Sequence, residues 1–242
     1  MGTFKNNELS LMSSTEFPCS YLKGRLEKRT YINLSNKNGN FLISELTKRG
    51  FRRNYNHMYI PSCNNCNSCV SSRLNIEQFK FSKNNKRNLR INNDLILTTN
   101  KSYSSERFKL FRLYCNIRHS EGQMKLMSEE EFISFFHKPI NKTKIYDLID
   151  KSNKLYGSIL LDDLEDGYSA VYSFFDPKEI KRGLGKNLIR RTINKLKKIN
   201  RKFLYLGYWI RESKNMNYKS SFNSMEYFID GTWIDNSLFL QK

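Results

Sequence analysis

The stretch YSAVYSFFDPKEIKRGLGKNLI (168–189) decides the architecture of the C-terminal half of this 242-residue chain. Its first nine residues, 168–176, are rich in aromatic residues and alternate like a β-strand. Pro177 then forbids continuation of the strand interior, because proline has no backbone N–H to donate. Gly183 and Gly185 stand directly before an apolar pattern with helical spacing. The stretch therefore predicts a strand, a glycine turn and a helix.

The sequence on either side of this stretch completes a layered α/β pattern. A strand-like run at 154–163, KLYGSILLDD, precedes the strand predicted at 168–176. The turn sequence LEDG joins the two runs and predicts a hairpin. The helix after the glycines is predicted to run from about residue 184 to 200, with an apolar face opposite a basic face. A buried strand, KFLYLGYWI, follows at 202–210, and two helices precede the hairpin, beginning near Ser104 and Ser128. The predicted fold class is therefore α/β (α+β).

The chain divides into three predicted segments. Residues 1–16 are a leader, residues 17–100 a smaller N-terminal lobe that contains cysteines, and residues 101–242 the α/β lobe. Within the N-terminal lobe, 41–48 has helical spacing and is followed by Gly50, where a helix usually stops. The chain has no run of about 18 apolar residues, and its start lacks the apolar core of a secretory signal. We therefore expect a cytoplasmic protein without a membrane partner.

Four cysteines of the N-terminal lobe form a candidate metal site. Cys63, Cys66 and Cys69 stand at three-residue steps, and the fold must bring Cys19 to them. Four thiolates satisfy a tetrahedral zinc site or an iron–sulfur cluster, and disulfides are rare in a reducing compartment. The alternative is a cysteine loop without metal, or thiols that contact substrate. Cys115 lies on the apolar face of a helix and is predicted to belong to the core.

The chain is strongly basic, with 42 Lys and Arg against 23 Asp and Glu and a formal net charge of +19. Such an excess favours a polyanionic partner, most simply a nucleic acid. The alternative is compositional bias, because Asn, Lys and Ile are abundant throughout the sequence. A basic run at 80–90 either contacts nucleic acid or is a solvated face.

The glycine turn is a candidate anion site. Gly183 and Gly185 let the backbone approach an anion closely, and the free amides of a helix N-terminus favour negative charge. Arg182 and Lys186 add cations at the same end. Acyltransferases of the GNAT type hold the pyrophosphate of coenzyme A with a similar turn, but Ile180 stands where their first polar residue belongs. We therefore expect a phosphate ligand other than coenzyme A; the alternative is an ordinary helix start.

Several segments occur together in an order more specific than any one of them. They are CSYL (19–22), GFRR (50–53), YIP with the three cysteines (59–69), Arg73, Arg118-His119, SAVYSFFDP (169–177), Leu184-Gly185, YLGYWI (205–210), KNMNYKSSF (214–222) and Trp233. In order and spacing they closely resemble the bacterial aminoacyl-tRNA–protein transferases, over almost the whole chain. That family includes the aspartate/glutamate leucyltransferases, which are related to the eukaryotic arginyl-tRNA–protein transferases.

The resemblance implies an enzyme that transfers leucine from Leu-tRNA to proteins that begin with Asp or Glu and so marks them for N-degron degradation. It also implies a GNAT-like acyltransferase lobe in which aminoacyl-tRNA replaces acyl-coenzyme A. The partners are then a charged tRNA and acidic N-termini. No cofactor is required, because charged tRNA is an activated ester and an α-amine with a pKa of about 7.7–8.0 is partly neutral in the cell.

Three other functions stay open. The first is an arginyl-tRNA–protein transferase with the same acceptors. Chain length and cysteine spacing favour leucine, and the sequence offers no obvious acidic cluster for an arginyl donor, although Glu212 and Asp176 could still form one. The second is a non-catalytic zinc-ribbon RNA-binding protein, which would explain the cysteines and the charge. The third is an ordinary acetyltransferase, which the missing polar residue of the glycine turn disfavours.

Arginines near the end of the first helix are candidates for reading an acidic acceptor. Arg52 and Arg53 follow Gly50, and arginine binds a carboxylate with two hydrogen bonds. Arg73 is a similar candidate. The alternative is a solvated basic turn.

Three residues of the predicted strands are candidates for catalysis. Asp176 ends a strand where acyltransferases open their acyl site, and it would orient or deprotonate the acceptor amine. Tyr172 and Tyr208 would wall the terminal adenosine or donate to the oxyanion. The alternatives are a turn-capping aspartate and core tyrosines.

The candidates for tRNA contact cluster in the C-terminal half. They are Lys214, Tyr218 and Lys219, together with Arg182, Gly183, Gly185 and Lys186 of the glycine turn. His57 and His119 have no visible partner in the sequence and are predicted to be structural.

Overall fold

The computed structural model describes residues 10–34, 39–99, 102–119, 122–213, 216 and 218–239. Its strands are β1 (Leu11–Ser13), β2 (Phe17–Pro18), β3 (Leu26–Glu27), β4 (Arg29–Asn33), β5 (Arg52–Asn54), β6 (His57–Pro61), β7 (Val70–Asn75), β8 (Ile96–Thr99), β9 (Thr143–Ile149), β10 (Leu155–Asp163), β11 (Gly167–Phe175), β12 (Phe203–Trp209), β13 (Met225–Ile229) and β14 (Thr232–Asp235). Its α-helices are α1 (Gly39–Lys48), α2 (Lys83–Ile91), α3 (Ser105–Arg118), α4 (Glu129–His137), α5 (Leu184–Lys198) and α6 (Asn236–Phe239). Within the described ranges, every helix is too short or too polar to cross a bilayer.

An eight-stranded sheet in the order β14-β13-β7-β12-β11-β10-β9-β8 forms the centre of the molecule. The strands from β8 to β11 are antiparallel neighbours, and β10 with β11 forms the predicted hairpin. β12 is parallel to β11, and α5 makes the crossover connection that two parallel strands require. The α/β class predicted from the sequence is confirmed.

The parallel strands β11 and β12 stay together over only a short distance. They pair where Gly167–Ser169 faces Phe203–Tyr205, and beyond these residues they part. We call the space between their C-terminal halves the β11–β12 gap. Because α5 returns from the C-terminal end of β11, its glycine turn lies at the same end of the sheet as the gap. A glycine-started helix between two strands of one sheet agrees with the GNAT-like lobe that the resemblance implied.

Helix α5 forms because five apolar residues recur on one of its faces. All are buried against the sheet: Leu184, Leu188, Ile189, Ile193 and Leu196. Burial of each such side chain contributes about 1.5–3 kcal/mol. Ile199, which would continue this face, is 41% exposed because the helix ends at Lys198. The predicted basic face is partly covered by α2, where Asn85 accepts a 2.8 Å hydrogen bond from buried Arg190.

Helices α3 and α4 cover the other face of the sheet. Alternate residues of β10 separate the two layers, since Leu160 packs with α3 and α4 whereas Ile159 and Leu161 pack with α5. The α3–α4 layer is mainly aromatic, with Phe111, Phe132, Phe135, Phe136 and Phe174 at its centre. Ser128 and Glu131 form the capping box expected at the start of α4.

The N-terminal residues build a second sheet, in the order β1-β4-β6-β5, beside α1. Helix α1 confirms the helix predicted at 41–48, and Gly50 follows it with a φ of 86°. The predicted division at residue 100 stays a prediction. Strands β7 and β8 precede that residue, so the large sheet draws strands from both sides of it.

Candidate functional site in the gap between two parallel strands

Arg52 projects from β5 into the β11–β12 gap. Its Nη2 donates a 2.6 Å hydrogen bond to the carbonyl oxygen of Val171 on β11. The register between β10 and β11 shifts at Val171, which leaves this residue without a partner on β10. Bulges of this kind redirect backbone groups next to functional sites. A cavity of about 10 Å³ remains beside Arg52, which is near the lower limit for one water molecule, so the guanidinium fills the base of the gap.

Strand β12, on the other side of the gap, is also irregular where it meets Arg52. The register between β12 and β7 shifts between Tyr205 and Gly207, and Gly207 has a φ of 71°. Such a left-handed conformation suits glycine. The central glycine of the YLGYWI motif therefore lies at a bulge where β12 meets Arg52.

Lys219 lies on the β12 side of the gap and is only 4% exposed. It begins a short 3-10 turn (Lys219–Ser221), and its Nζ donates a hydrogen bond to the carbonyl oxygen of Tyr208. Burial, and after it the charge of Arg52, holds the pKa of Lys219 well below its ordinary value. The sequence predicted a phosphate contact here, whereas the structure places a buried amine at this position.

Arg52 and Lys219 make the described part of the gap basic. Within the described ranges, neither Arg52 nor Lys219 forms an ion pair with a carboxylate. Two buried arginines do form such pairs, Arg53 with Asp162 and Arg107 with Asp147. Because an unpaired buried charge is costly, the arrangement suits an anionic ligand or a neutral amine.

Tyr208, a predicted catalytic residue, is held by backbone groups. Its ring is buried, and its hydroxyl donates to the carbonyl oxygens of Tyr59 at 2.9 Å and Gly50 at 3.3 Å. Burial raises the pKa of Tyr208 well above its ordinary value. The hydroxyl therefore joins β12 to the N-terminal sheet in this structure, and it is its carbonyl oxygen that contacts Lys219.

The other two predicted catalytic residues also have local partners. Tyr172 packs in the aromatic α3–α4 layer, with its hydroxyl 3.7 Å from the Sγ of Cys115, and burial raises its pKa strongly. The Oδ1 of Asp176 accepts a 2.9 Å hydrogen bond from the backbone amide of Lys178 and so caps its own turn. Cys115 is fully buried, which confirms that it belongs to the core.

Aromatic side chains form a wall near the C-terminal end of β11. The rings of Tyr114 on α3 and Phe175 on β11 meet edge to face at 4.9 Å, and His119 Nε2 lies 3.3 Å from the Tyr114 hydroxyl. Tyr218 is close enough to Tyr114 to influence its pKa, which burial raises to about 12. A Cβ on Gly185 would stand 2.7 Å from the Phe175 ring. His119 thus has a partner that the sequence did not reveal.

The cations predicted to contact tRNA have different surroundings. Arg182 is held by α2 and the turn after it, with hydrogen bonds of 2.9 Å to Asn92 and 2.5 Å to Asp94. Gly183 precedes α5 with a φ of 59°, and Lys186 on the first turn of α5 is exposed. Lys214, the remaining predicted tRNA contact, lies outside the described residues. Of these cations, Lys186 is therefore the one with a described, solvent-accessible side chain.

In the described part of the chain, Arg53 and Arg73, unlike Arg52, are each paired with a carboxylate. Arg53 is buried and pairs with Asp162 through two 2.9 Å hydrogen bonds from Nε. Arg73 donates a 2.7 Å hydrogen bond to Glu226 and lies over the rings of Phe203 and Trp233, among other aromatic side chains. Both guanidinium groups are thus engaged within the protein, and Arg52 alone of the three predicted acceptor contacts reaches the gap.

The four cysteines share one region but do not form a metal-binding group. Burial, then Glu27 and the other three cysteines, raises the pKa of Cys69 to about 12, and backbone amides donate to the Sγ atoms of Cys19 and Cys63. Among the residues that the structure describes, however, no three His, Cys, Asp or Glu side chains are arranged to hold one ion. The zinc or iron–sulfur site stays a prediction, and no chemistry below depends on it.

The sequence did not predict that Lys219 is buried or that Tyr114 contacts Phe175 and His119. Lys219 belongs to the motif KNMNYKSSF (214–222), but a motif does not tell whether its lysine is buried. Tyr114 and His119 lie five residues apart at the end of one helix, which is not a regular helical spacing for a contact.

Both halves of the chain match models of one protein family. Residues 17–87 match the model described as "Arginine-tRNA-protein transferase, N terminus", and residues 106–229 match its C-terminal counterpart. The Arg52 segment lies in the first match, and β11, β12 and Lys219 lie in the second.

Two related proteins carry the name aspartate/glutamate leucyltransferase. The protein of Saccharophagus degradans is 37% identical over 229 residues, which cover 94% of this chain and 97% of that protein. The protein of Ruegeria pomeroyi is 34% identical over 218 residues, or 89% of this chain and 80% of that protein.

Similarity to solved structures is weaker. The structure of L-PGS from Bacillus licheniformis matches with a TM-score of 0.46 and 12% identity, over 59% of this chain and 45% of that one. The two family matches, in contrast, together extend from residue 17 to 229. The chain therefore belongs to the arginine-tRNA-protein transferase family.

Proposed function

We propose that this protein transfers leucine from Leu-tRNA to the α-amino group of proteins that begin with Asp or Glu, the change that marks them for N-degron degradation. The observation that carries the proposal is Arg52 in the β11–β12 gap, beside Lys219 and without a paired carboxylate in the described part of the chain. The names of the related proteins and the family membership support it.

The chemistry needs positioning more than activation. The ester of a charged tRNA is already activated, so the protein has to align its carbonyl carbon with the acceptor nitrogen. Orientation of two substrates can supply about 7–11 kcal/mol of the barrier. Two strands that part at bulges offer unpaired backbone groups to the substrates, and an N–H among them would stabilise the tetrahedral oxyanion.

Arg52 is the group that reads the acidic side chain of the acceptor. A guanidinium binds a carboxylate through two parallel hydrogen bonds, which are stronger than a bond to a neutral carbonyl. The acceptor carboxylate would therefore replace the Val171 carbonyl as the partner of Arg52. The same exchange opens the gap that the guanidinium fills without an acceptor.

Leucine is favoured as the transferred residue by the surroundings of the gap. An arginyl donor would need an acidic pocket, and no described carboxylate pairs with the two cations there. The wall of Tyr114 and Phe175 offers an apolar surface instead. Arginine with the same acceptors is the second candidate, and the donor experiment below decides between them.

A basic surface on α2 and α5 is the proposed contact for the tRNA backbone. The two helices pack side by side, and their exposed cations include Lys83, Lys86, Arg87, Arg90, Lys186, Lys195, Lys197 and Lys198. Helix α2 has no acidic residue. Such a surface binds phosphates without reading bases.

The test supplies Leu-tRNA and Arg-tRNA in parallel to peptides that begin with Asp, Glu, Gln or Lys, and follows the peptides by mass spectrometry. We expect a leucyl addition to the Asp and Glu peptides only. Arginyl addition would select the second candidate. RNA binding without any addition would favour a non-catalytic RNA-binding protein, and acetylation with acetyl-coenzyme A would favour an acetyltransferase.

A further inference from the structure

We propose that Lys219 is the catalytic residue that accepts a proton from the α-ammonium group of the acceptor. The inference rests on the proposed transfer function and names a role within the same site.

The position of Lys219 supports this role. Its Nζ is held by the carbonyl oxygen of Tyr208, the residue after Gly207, where β12 borders the gap. An acceptor whose carboxylate binds Arg52 has its α-amine only a few bonds away. Arg52 and Lys219 contact β12 at the neighbouring residues Gly207 and Tyr208, so an acceptor bound to Arg52 brings its amine toward Lys219.

The surroundings of Lys219 keep its amine available as a base. Among the described residues, the charged or titratable groups near it include Arg52 from β5, Tyr208 from β12 and Tyr218 from its own segment. Burial and the charge of Arg52 both favour the neutral amine, and burial keeps the two tyrosines protonated. A buried lysine in such surroundings can act as a general base near neutral pH.

The residues expected to serve as base or donor have other partners. The Tyr208 hydroxyl donates to backbone carbonyls, the Tyr172 hydroxyl faces Cys115, and Asp176 caps its own turn. The charge of Arg52 also reaches Tyr208, but burial keeps that hydroxyl protonated. Lys219 is thus the described amine near Arg52 that burial makes available as a base.

The proposed steps balance as follows. Neutral Lys219 takes one proton from the α-ammonium, and the nitrogen lone pair then forms the C–N bond with the ester carbonyl carbon. The tetrahedral intermediate expels the ribose oxygen with the electrons of the C–O bond, and that oxygen takes a second proton from the attacking nitrogen. The third hydrogen stays on the new amide, and Lys219 releases its proton to solvent.

The experiment compares the full chain with Lys219→Met and Lys219→Ala, using Leu-tRNA and a peptide that begins with Glu. We expect kcat to fall about 100- to 10,000-fold, with the KM for the peptide changed much less. Small primary amines should restore part of the activity of Lys219→Ala and none of the activity of Lys219→Met. Lys151→Met, in an exposed turn, is the matched control and should behave as the unmodified protein.

The outcomes separate this inference from the proposed function. If the unmodified protein does not transfer leucine, the proposed function fails. If it does and Lys219→Met keeps kcat within about twofold, or raises only KM, the role of Lys219 is overturned while the function stands. Should both variants fail to fold, NMR titration of lysine ζ-nitrogens in the unmodified protein decides. We expect one amine of the unmodified protein to have a pKa far below those of the other lysines, and the absence of such an amine overturns the inference.

Discussion

Arg52 occupies the space in which a side chain at position 207 would begin. A Cβ built on Gly207 would stand 1.6 Å from the Nη1 of Arg52 and 2.7 Å from its Cζ. The glycine of YLGYWI and the arginine of GFRR, 155 residues apart in the sequence (207 − 52), are thus parts of one arrangement. The bulge in β12 thus lies at the residue that the Arg52 guanidinium contacts.

The first prediction concerns this contact. Gly207→Ala should destabilise the protein and abolish transfer, because alanine is strained at the positive φ of this position and its Cβ displaces Arg52. Gly231→Ala is the matched control, since Gly231 has a φ of 81° but no atom within 4 Å of the added Cβ. The backbone strain alone should cost about 1–3 kcal/mol in both variants, measured by urea unfolding. Equal losses of stability and activity in the two variants would contradict the contact.

The second prediction concerns acceptor selectivity. Arg52→Gln should lower kcat/KM for a peptide that begins with Glu about 10- to 100-fold, because a charge-assisted hydrogen bond contributes about 1.5–3 kcal/mol. The same variant should change the slow reaction of a Gln-started peptide far less. Steady-state kinetics with the peptide pair measures this ratio. An unchanged preference for Glu over Gln would assign recognition of the acceptor to other residues.

The third prediction separates Arg53 from Arg52. Arg53→Met leaves Asp162 buried without its cation and should cost about 3–5 kcal/mol of unfolding free energy. Adding Asp162→Leu should recover much of that loss, because both buried charges are then gone. In urea unfolding, a single variant as stable as the unmodified protein would be inconsistent with the pair. The folded fraction should keep its preference for Glu.

The fourth prediction concerns the basic surface. Replacing Lys86 and Arg87 of α2 by alanine should weaken tRNA binding and reduce the slope of log K against log salt concentration by about 0.7–0.9 for each lost phosphate contact. Binding titrations at several salt concentrations measure the slope. The control replaces the exposed Lys23 and Lys151, which removes the same charge elsewhere. An equal effect in the control would mean that only net charge matters.

The fifth prediction concerns stability and pH. The pKa of Lys219 is lowered in the folded protein, so between that value and the ordinary lysine pKa of about 10.4 the unfolded chain binds the extra proton. Stability must therefore rise with pH across this window, by at most about 1.4 kcal/mol per pH unit, and level off above it. Urea unfolding from pH 7 to 10 should show this rise in the unmodified protein and in Lys151→Met. Lys219→Met should lose it, and the same slope in that variant would assign the titration to another group.

The local sequence pattern was enough to predict the strand and the helix on either side of the glycine turn. Pro177 and Gly183 mark the end of β11 and the start of α5, and the apolar spacing of α5 matches its buried face. These features depend on residues within one or two turns of each other. Arg190 shows where such reasoning stops, because its burial depends on α2, about a hundred residues away.

The sequence by itself determined the α/β class, the hairpin, the helix after the glycine turn, and the family, since these follow from periodicity, breaker residues and motif order along the chain. Only the tertiary structure decided which of the candidate residues meet. It paired Arg53 with Asp162, gave the hydroxyl of Tyr208 to backbone carbonyls, and brought Arg52 and Lys219 together without an acid. The physical reason is that burial and partners are set by strands and turns far apart in sequence. The state of a charged side chain depends on those partners and not on its neighbours along the chain.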